Sequence, residues 1–210
     1  MRTALTATAT RHKVPGRHIA EDRSMIGYGG SELANAFRTV RKNTVLIAED
    51  IPEDQYEFVA APGARSVSLM LRHIVYAPMV HTDMHRERRI TTLKGYDFPA
   101  ITAKAAAEER KPRSKSELIS LLKAEGERFA GWLQSLSPEF LAETFTDATG
   151  ANPRTRFESL LGAKEHEMHH RAQLMLIERV LGIVPHLTRQ REERIRQRLA
   201  AAAAAKAASA

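Results

Sequence analysis

The sequence predicts an all-α protein, an antiparallel four-helix bundle over residues 31–185 with flexible N- and C-terminal extensions. Three observations carry this. Four long stretches place apolar residues at the three-to-four spacing of a buried helix face. Capping residues, glycines and prolines punctuate the ends of those stretches. No comparable strand alternation competes with them, and 210 residues suit one domain with a substantial core.

Residues 1–30 are Thr/Ala-rich and then polar, and read as a weakly ordered N-terminal extension. They end in Gly27-Tyr28-Gly29-Gly30, which breaks any helix before Ser31. Ser31 is a suitable N-cap for a first helix to about Asp50, with Leu33, Phe37, Val40, Thr44 and Ile47 on one face. Ile51-Pro52 and Pro62-Gly63 bracket a loop.

Ser66 caps a second helix to about Ile90, whose apolar stripe is Val67, Met70, Ile74 and Ala77. Pro78 falls inside it and is expected to kink it, because proline lacks the N–H and crowds the preceding turn. Gly95 to Pro99 is a turn, and Thr102 to Arg110 an Ala-rich connecting helix or loop. Ser114 and Glu117 have capping-box spacing before a third helix over 116–136, whose apolar positions include Leu118, Leu121, Leu122, Phe129, Trp132 and Leu133. Residues 139–154 read as a loop with a short extended stretch. Thr155 and Glu158 repeat the capping box and open a fourth helix to about Leu181, stopped by Gly182 and Pro185. Residues 186–210 form a charged and then alanine-rich C-terminal tail, or a solvated terminal helix with little to bury.

Composition removes whole classes of chemistry. With no cysteine, disulfides, thiolate metal sites and a cysteine nucleophile are excluded, so a metal would need His, Asp or Glu. The missing disulfides fit a cytoplasmic location. No run of 18 apolar residues exists to span a membrane as a helix, and Met1 to His18 lacks the apolar core of a secretory signal. The net charge of +7 invites a nucleic-acid reading, but its placement argues otherwise. Arg2, Arg11, Lys13, Arg17 and Arg23 outnumber Glu21 and Asp22 by three in the first extension. Arg189, Arg191, Arg194, Arg196, Arg198 and Lys206 outnumber Glu192 and Glu193 by four in the last. Residues 31–185 are therefore neutral, whereas a nucleic-acid-binding domain carries its basic patch on the folded body.

Six of the nine histidines lie on the second and fourth helices. His166 and His170 are four apart, one turn apart on one face, so their rings can converge on an ion. That face continues through Ala163, Leu174 and Ile177, which points it inward. His73, between Met70 and Ala77 on the buried stripe of the second helix, can supply a third imidazole. Three neutral imidazoles leave an open coordination position, the layout of a catalytic rather than a closed structural site. Zn²⁺ suits the set, and Ni²⁺, Fe²⁺ and Mn²⁺ are compatible with it. His169 sits one position off the inward line and His85, among arginines, reads as surface. His81 lies two turns past His73, beyond the kink, and Glu165 and Glu167 flank His166 while pointing off its face.

The run His166-Glu-Met-His-His170-Arg171-Ala-Gln173-Leu174 resembles the fourth-helix pattern of the DinB/YfiT-like metalloprotein superfamily. Arg65 to Ile74 resembles the segment carrying that family's single second-helix histidine, and Ser31 to Asp54 its first helix and acidic turn. Ala172 departs from a frequent glycine, at no cost to a helix. The resemblance implies a four-helix bundle, a homodimer, and a divalent metal on His73, His166 and His170, with His169, Arg171 and Gln173 as supporting residues. It also implies a small-molecule substrate and, in some relatives, a low-molecular-weight thiol. Three functions compete: a metal-dependent thiol S-transferase or hydrolase of small molecules, a non-enzymatic metal-binding or stress-associated protein, and, last, nucleic-acid or membrane-surface binding through the basic tails.

Overall fold

The structure is a computed structural model that describes residues 27–208. All but the last four residues of the N-terminal extension, including His12 and His18, lie outside the described residues.

Helix α1 runs Gly30–Asp50, α2 Val67–Tyr76, α3 Met79–His81, α4 Phe98–Glu109, α5 Lys115–Gln134, α6 Pro138–Ala142, α7 Arg156–Val180 and α8 His186–Ala208. A π-helical turn, Thr82–Glu87, follows α3, and two-residue strands β1 (Thr144–Phe145) and β2 (Arg154–Thr155) pair antiparallel just before α7. Among the described residues no helix is long and apolar enough to cross a membrane.

The capping boxes form as expected. The Ser114 and Thr155 hydroxyls accept from the N–H groups of Glu117 and Glu158, whose carboxylates accept the cap N–H in return. The start of α1 differs: Gly29, not Ser31, is the N-cap, and its N–H donates to Glu32 at 2.9 Å. A glycine suits this end, because a Cβ on Gly30 would lie 2.5 Å from the Leu133 carbonyl oxygen of α5. The second helix is also divided. Pro78 ends α2 and starts α3, and the π turn inserts an extra residue that changes which side chains face inward beyond it.

Four long helices, α1, α2, α5 and α7, form the bundle, and α4 covers α2. Helix α5 runs antiparallel to α1: Gly30 meets Leu133 at one end, and Lys115 donates to the Glu49 and Ile51 carbonyls at the other. Helix α7 runs antiparallel to α2, with His73 beside His166 and His81 beside Gly162. Around the bundle the order is α1, α5, α2, α7, so the first two helices are diagonal and the 51–66 connection spans them. Residues 186–208, read as a tail, are helical. Its first turn docks through His186 on Asn43 and Arg189 on Asp50, and the alanine-rich run beyond it has high helix propensity.

Two apolar clusters fill the interior. One joins Ile47, Ile51, Leu71, Ile74, Leu122 and Leu174; the other joins Leu33, Phe37, Phe129, Leu133, Leu141 and Leu160. Between them, Arg41 of α1 touches every helix of the bundle. Its Nε donates to Glu167 of α7 at 2.9 Å, NH1 to the Leu122 carbonyl of α5 at 2.9 Å, and NH2 to the Ile74 carbonyl of α2 at 3.2 Å. Thr44 completes Glu167 with a 2.7 Å hydrogen bond. Gly126 makes room, since a Cβ there would sit 2.7 Å from Arg41 Cγ. Glu167, read as pointing off the histidine face, is thus buried and turned to α1.

Removing one member of this pair strands a buried charge. Glu167→Ala is expected to lower unfolding free energy by about 3–5 kcal/mol in urea titration. Arg41→Met combined with Glu167→Leu is expected to recover much of that loss, because no charge then remains uncompensated.

Candidate metal centre

Helix α7 places His166 and His170 one turn apart, and α2 brings His73 opposite them. His166 Nε2 lies 3.2 Å from His73 Nε2 and 3.2 Å from His170 Nε2. Among the described residues these three are the group whose donor atoms gather closely enough to share a metal ion. Nitrogens bound at about 2.0–2.1 Å in a tetrahedral arrangement sit about 3.3–3.4 Å apart. The two distances to His166 nearly match this, and all three donor atoms lie within 4.8 Å of one another.

Hydrogen bonds behind the rings decide where the protons are. His73 Nδ1 faces Glu109 Oε1 at 2.8 Å, and a carboxylate only accepts, so that nitrogen carries the hydrogen. His170 Nδ1 faces Gln173 Oε1 at 2.9 Å, with the same consequence. Both rings therefore turn an Nε2 lone pair toward His166. Lone pairs facing one another at this distance repel unless a proton or a cation lies between them. Burial and the neighbouring rings push His166 down to about 4, and burial lowers His170, so the rings are neutral. A neutral His166 can turn its own Nε2–H to only one of the two lone pairs, whereas a cation satisfies all three nitrogens at once. Donor type, spacing and protonation state all fit a divalent cation.

Of the supporting residues expected from the sequence, Gln173 is in place. Its amide nitrogen also reaches His169 Nε2 at 3.1 Å, which puts the exposed His169 behind Gln173 rather than beside the three rings. Among the described residues, Arg171 forms no hydrogen bond to the three histidines, and its buried Nε has no partner. Sequence reasoning missed Glu109. It ends α4, in the stretch read as a connecting helix or loop, and no spacing rule links it to a histidine 36 residues earlier.

The cluster opens onto a pocket of about 510 Å³ walled by Ala77, Val80, Phe98, Ala105, Ala106 and Ala163. Its polar lining comes from Arg65, His73, His81, Thr102, Glu109 and His166. A larger groove of about 820 Å³, lined by Tyr76, Arg86, Lys104, Glu125 and Trp132 among others, reaches none of the three histidines.

His85 corrects the surface reading of the sequence, for it is 0% exposed. Its Nδ1 faces Arg156 NH1 at 3.1 Å and its Nε2 faces Ser159 Oγ at 2.9 Å. A guanidinium only donates, so Nδ1 accepts and Nε2 carries the proton. That tautomer cannot take a proton from Ser159, which rules the pair out as a nucleophile and its base. Burial holds His85 down at about 3 and His81 at about 4.

These imidazoles stay neutral when folded but take up protons near pH 6.5 when unfolded. The unfolded chain therefore binds more protons between about pH 4 and 6.5, and stability falls as pH falls through that window. Glu178 acts oppositely: burial beside Asp50 raises it to about 7, so its contribution weakens as pH rises from 4.5 to 7. Urea midpoints measured from pH 4 to 7 are expected to decline on the acid side, and Glu178→Gln to steepen that decline.

The comparisons with known proteins give the family and the fold. The DinB superfamily profile matches residues 36–174, more than half of the chain, and spans all three histidines. A crystal structure of a DinB-like protein from Bacillus subtilis is 24% identical, with a TM-score of 0.53, over 72% of this chain and 92% of that one. YfiT from Bacillus subtilis, described as "a probable metal-dependent hydrolase with an unusual four-helix bundle topology", is 16% identical, with a TM-score of 0.58, over 81% of this chain and 94% of that one. Among curated proteins the search finds no match. An all-α four-helix bundle with this profile match places the chain in the DinB superfamily.

Proposed function

We propose that the protein is a metal-dependent enzyme acting on small molecules, with one divalent ion held by His73, His166 and His170. The observation that carries this is the convergence of three Nε2 atoms beside a pocket that His73 and His166 line, with Nδ1–H groups pinned behind His73 and His170. A divalent ion there would supply Lewis-acid chemistry, lowering the pKa of a coordinated water or low-molecular-weight thiol. Zn²⁺ or Ni²⁺ fits the all-imidazole set best, with Fe²⁺ and Mn²⁺ as alternatives.

The chain's own residues do the rest. Glu109 and Gln173 fix two ring orientations, and the Arg41–Glu167 pair sets the rotation of α7. The apolar walls hold a compact substrate and limit water around it. Thiol S-transfer to a small electrophile and hydrolysis both suit this layout. The one carboxylate lining the pocket, Glu109, is engaged with His73, so no second free carboxylate stands ready as a base. A homodimer would have Leu176 and Val180 of α7 to cover, which are 62% and 60% exposed.

Protein purified without a histidine tag is expected to carry about one metal ion per chain, and His170→Ala to carry almost none by elemental analysis. Glu109→Gln keeps the shape but removes the charge behind His73, and is expected to weaken metal affinity about 10- to 100-fold. Metal-loaded protein that turns over neither thiol–electrophile pairs nor ester, amide and phosphoester panels would leave a binding or sensing role instead.

A further inference from the structure

His81 lines the same pocket as His73 and His166 but belongs to neither the metal cluster nor its supports. It closes α3, between the Pro78 break and the π turn, and these two irregularities are what aim it at α7. Its ring stacks on His85, with centroids 6.1 Å apart and planes 20° from parallel. His85 is itself fixed by Arg156 and Ser159, so His81 rests on a rigid backing. Across the pocket it meets Gly162, where even an added Cβ would lie 3.8 Å from His81 Cε1. Gly162 is one turn before His166, which puts His81 about 6 Å along the pocket from the metal ligands.

The two ring nitrogens have different surroundings. Among the described residues, Nδ1 is buried with no hydrogen-bond partner. Orphaned buried N–H groups are rarer than orphaned acceptors, so the neutral ring keeps its lone pair at Nδ1 and its proton at Nε2. That leaves Nε2 for the pocket, whose lining joins the apolar Ala77, Val80 and Phe98 with the polar Arg65, Thr102 and Glu109.

We propose that His81 is a substrate-contacting residue whose Nε2–H donates a hydrogen bond to an acceptor oxygen of the bound molecule. The ligand class is then a compact molecule with an apolar body and a carbonyl or similar oxygen directed at His81. This deepens the reading of the pocket as the substrate site beside the metal.

The test compares binding of acetophenone with that of α-methylstyrene, which carries a methylene in place of the carbonyl oxygen. Dissociation constants are measured by NMR titration of the full chain as purified. Wild type is expected to prefer acetophenone about 2- to 10-fold, the worth of one neutral hydrogen bond. His81→Phe keeps an aromatic ring against His85 and is expected to bring the ratio to about one, with melting temperature and metal content unchanged. His81→Leu is the second variant, expected to behave alike. His73→Ala separates this inference from the metal reading, because the preference is expected to survive there. A preference that persists in His81→Phe but disappears in His73→Ala overturns the inference while leaving the metal reading intact. Equal binding of both probes by wild type, binding of neither, or loss of metal on replacing His81 also overturns it.

Discussion

The buried pair of Arg41 and Glu167 is the constraint on which the rest of the molecule depends. A guanidinium has five N–H groups, and here they reach α7, α5 and α2 from α1, in a layer between two apolar clusters. Hydrophobic burial is not directional and would tolerate small rotations of one helix against another. A fork of charged hydrogen bonds does not tolerate them, because each misalignment exposes a desolvated charge. The pair therefore acts less as a source of net stability than as a selector of one rotation for each helix.

That selection matters because Glu167 lies between His166 and His170 in sequence. Turning Glu167 toward α1 leaves His166 and His170 facing α2, where His73 waits with Glu109 behind it. The three-histidine cluster and the structural keystone are thus two faces of the same two turns of α7. A second device operates on α2, where Pro78 and the π turn interrupt the regular ladder. Around this interruption His81 lines the pocket and His85 joins a buried network with Arg156 and Ser159. Irregular helical geometry of this kind recurs where side chains must be aimed rather than merely buried.

What could be read from the sequence was local. Capping boxes at Ser114 and Thr155 span three residues, and the His166–His170 pair spans four, so both follow from helix periodicity alone. The inward position of His73 followed from an apolar stripe within one helix. The unread features are long-range or irregular. Arg41 and Glu167 are 126 residues apart, and an arginine inside an apolar stripe gives no sign of which carboxylate it meets. Glu109 falls in a segment whose alanine-rich pattern suits several packings, and only the fold shows that it ends behind His73. His85 sits among Arg86, Arg88 and Arg89 and looks solvated until the π turn rotates it inward. Of the three expected supporting residues, Gln173 lies within one turn of His170 and hydrogen-bonds its Nδ1, whereas Arg171 makes no hydrogen bond to the three histidines among the described residues.

The central claim is that three Nε2 atoms, from His73, His166 and His170, bind one ion and leave part of its coordination sphere open to the pocket. X-ray absorption at the edge of the bound metal tests it most directly. The account predicts three imidazole nitrogens, at about 2.0–2.1 Å for zinc, with the multiple-scattering signature of histidine rings and at least one further oxygen-type scatterer. A shell with two or fewer imidazoles, or one closed by a fourth protein nitrogen, would contradict it.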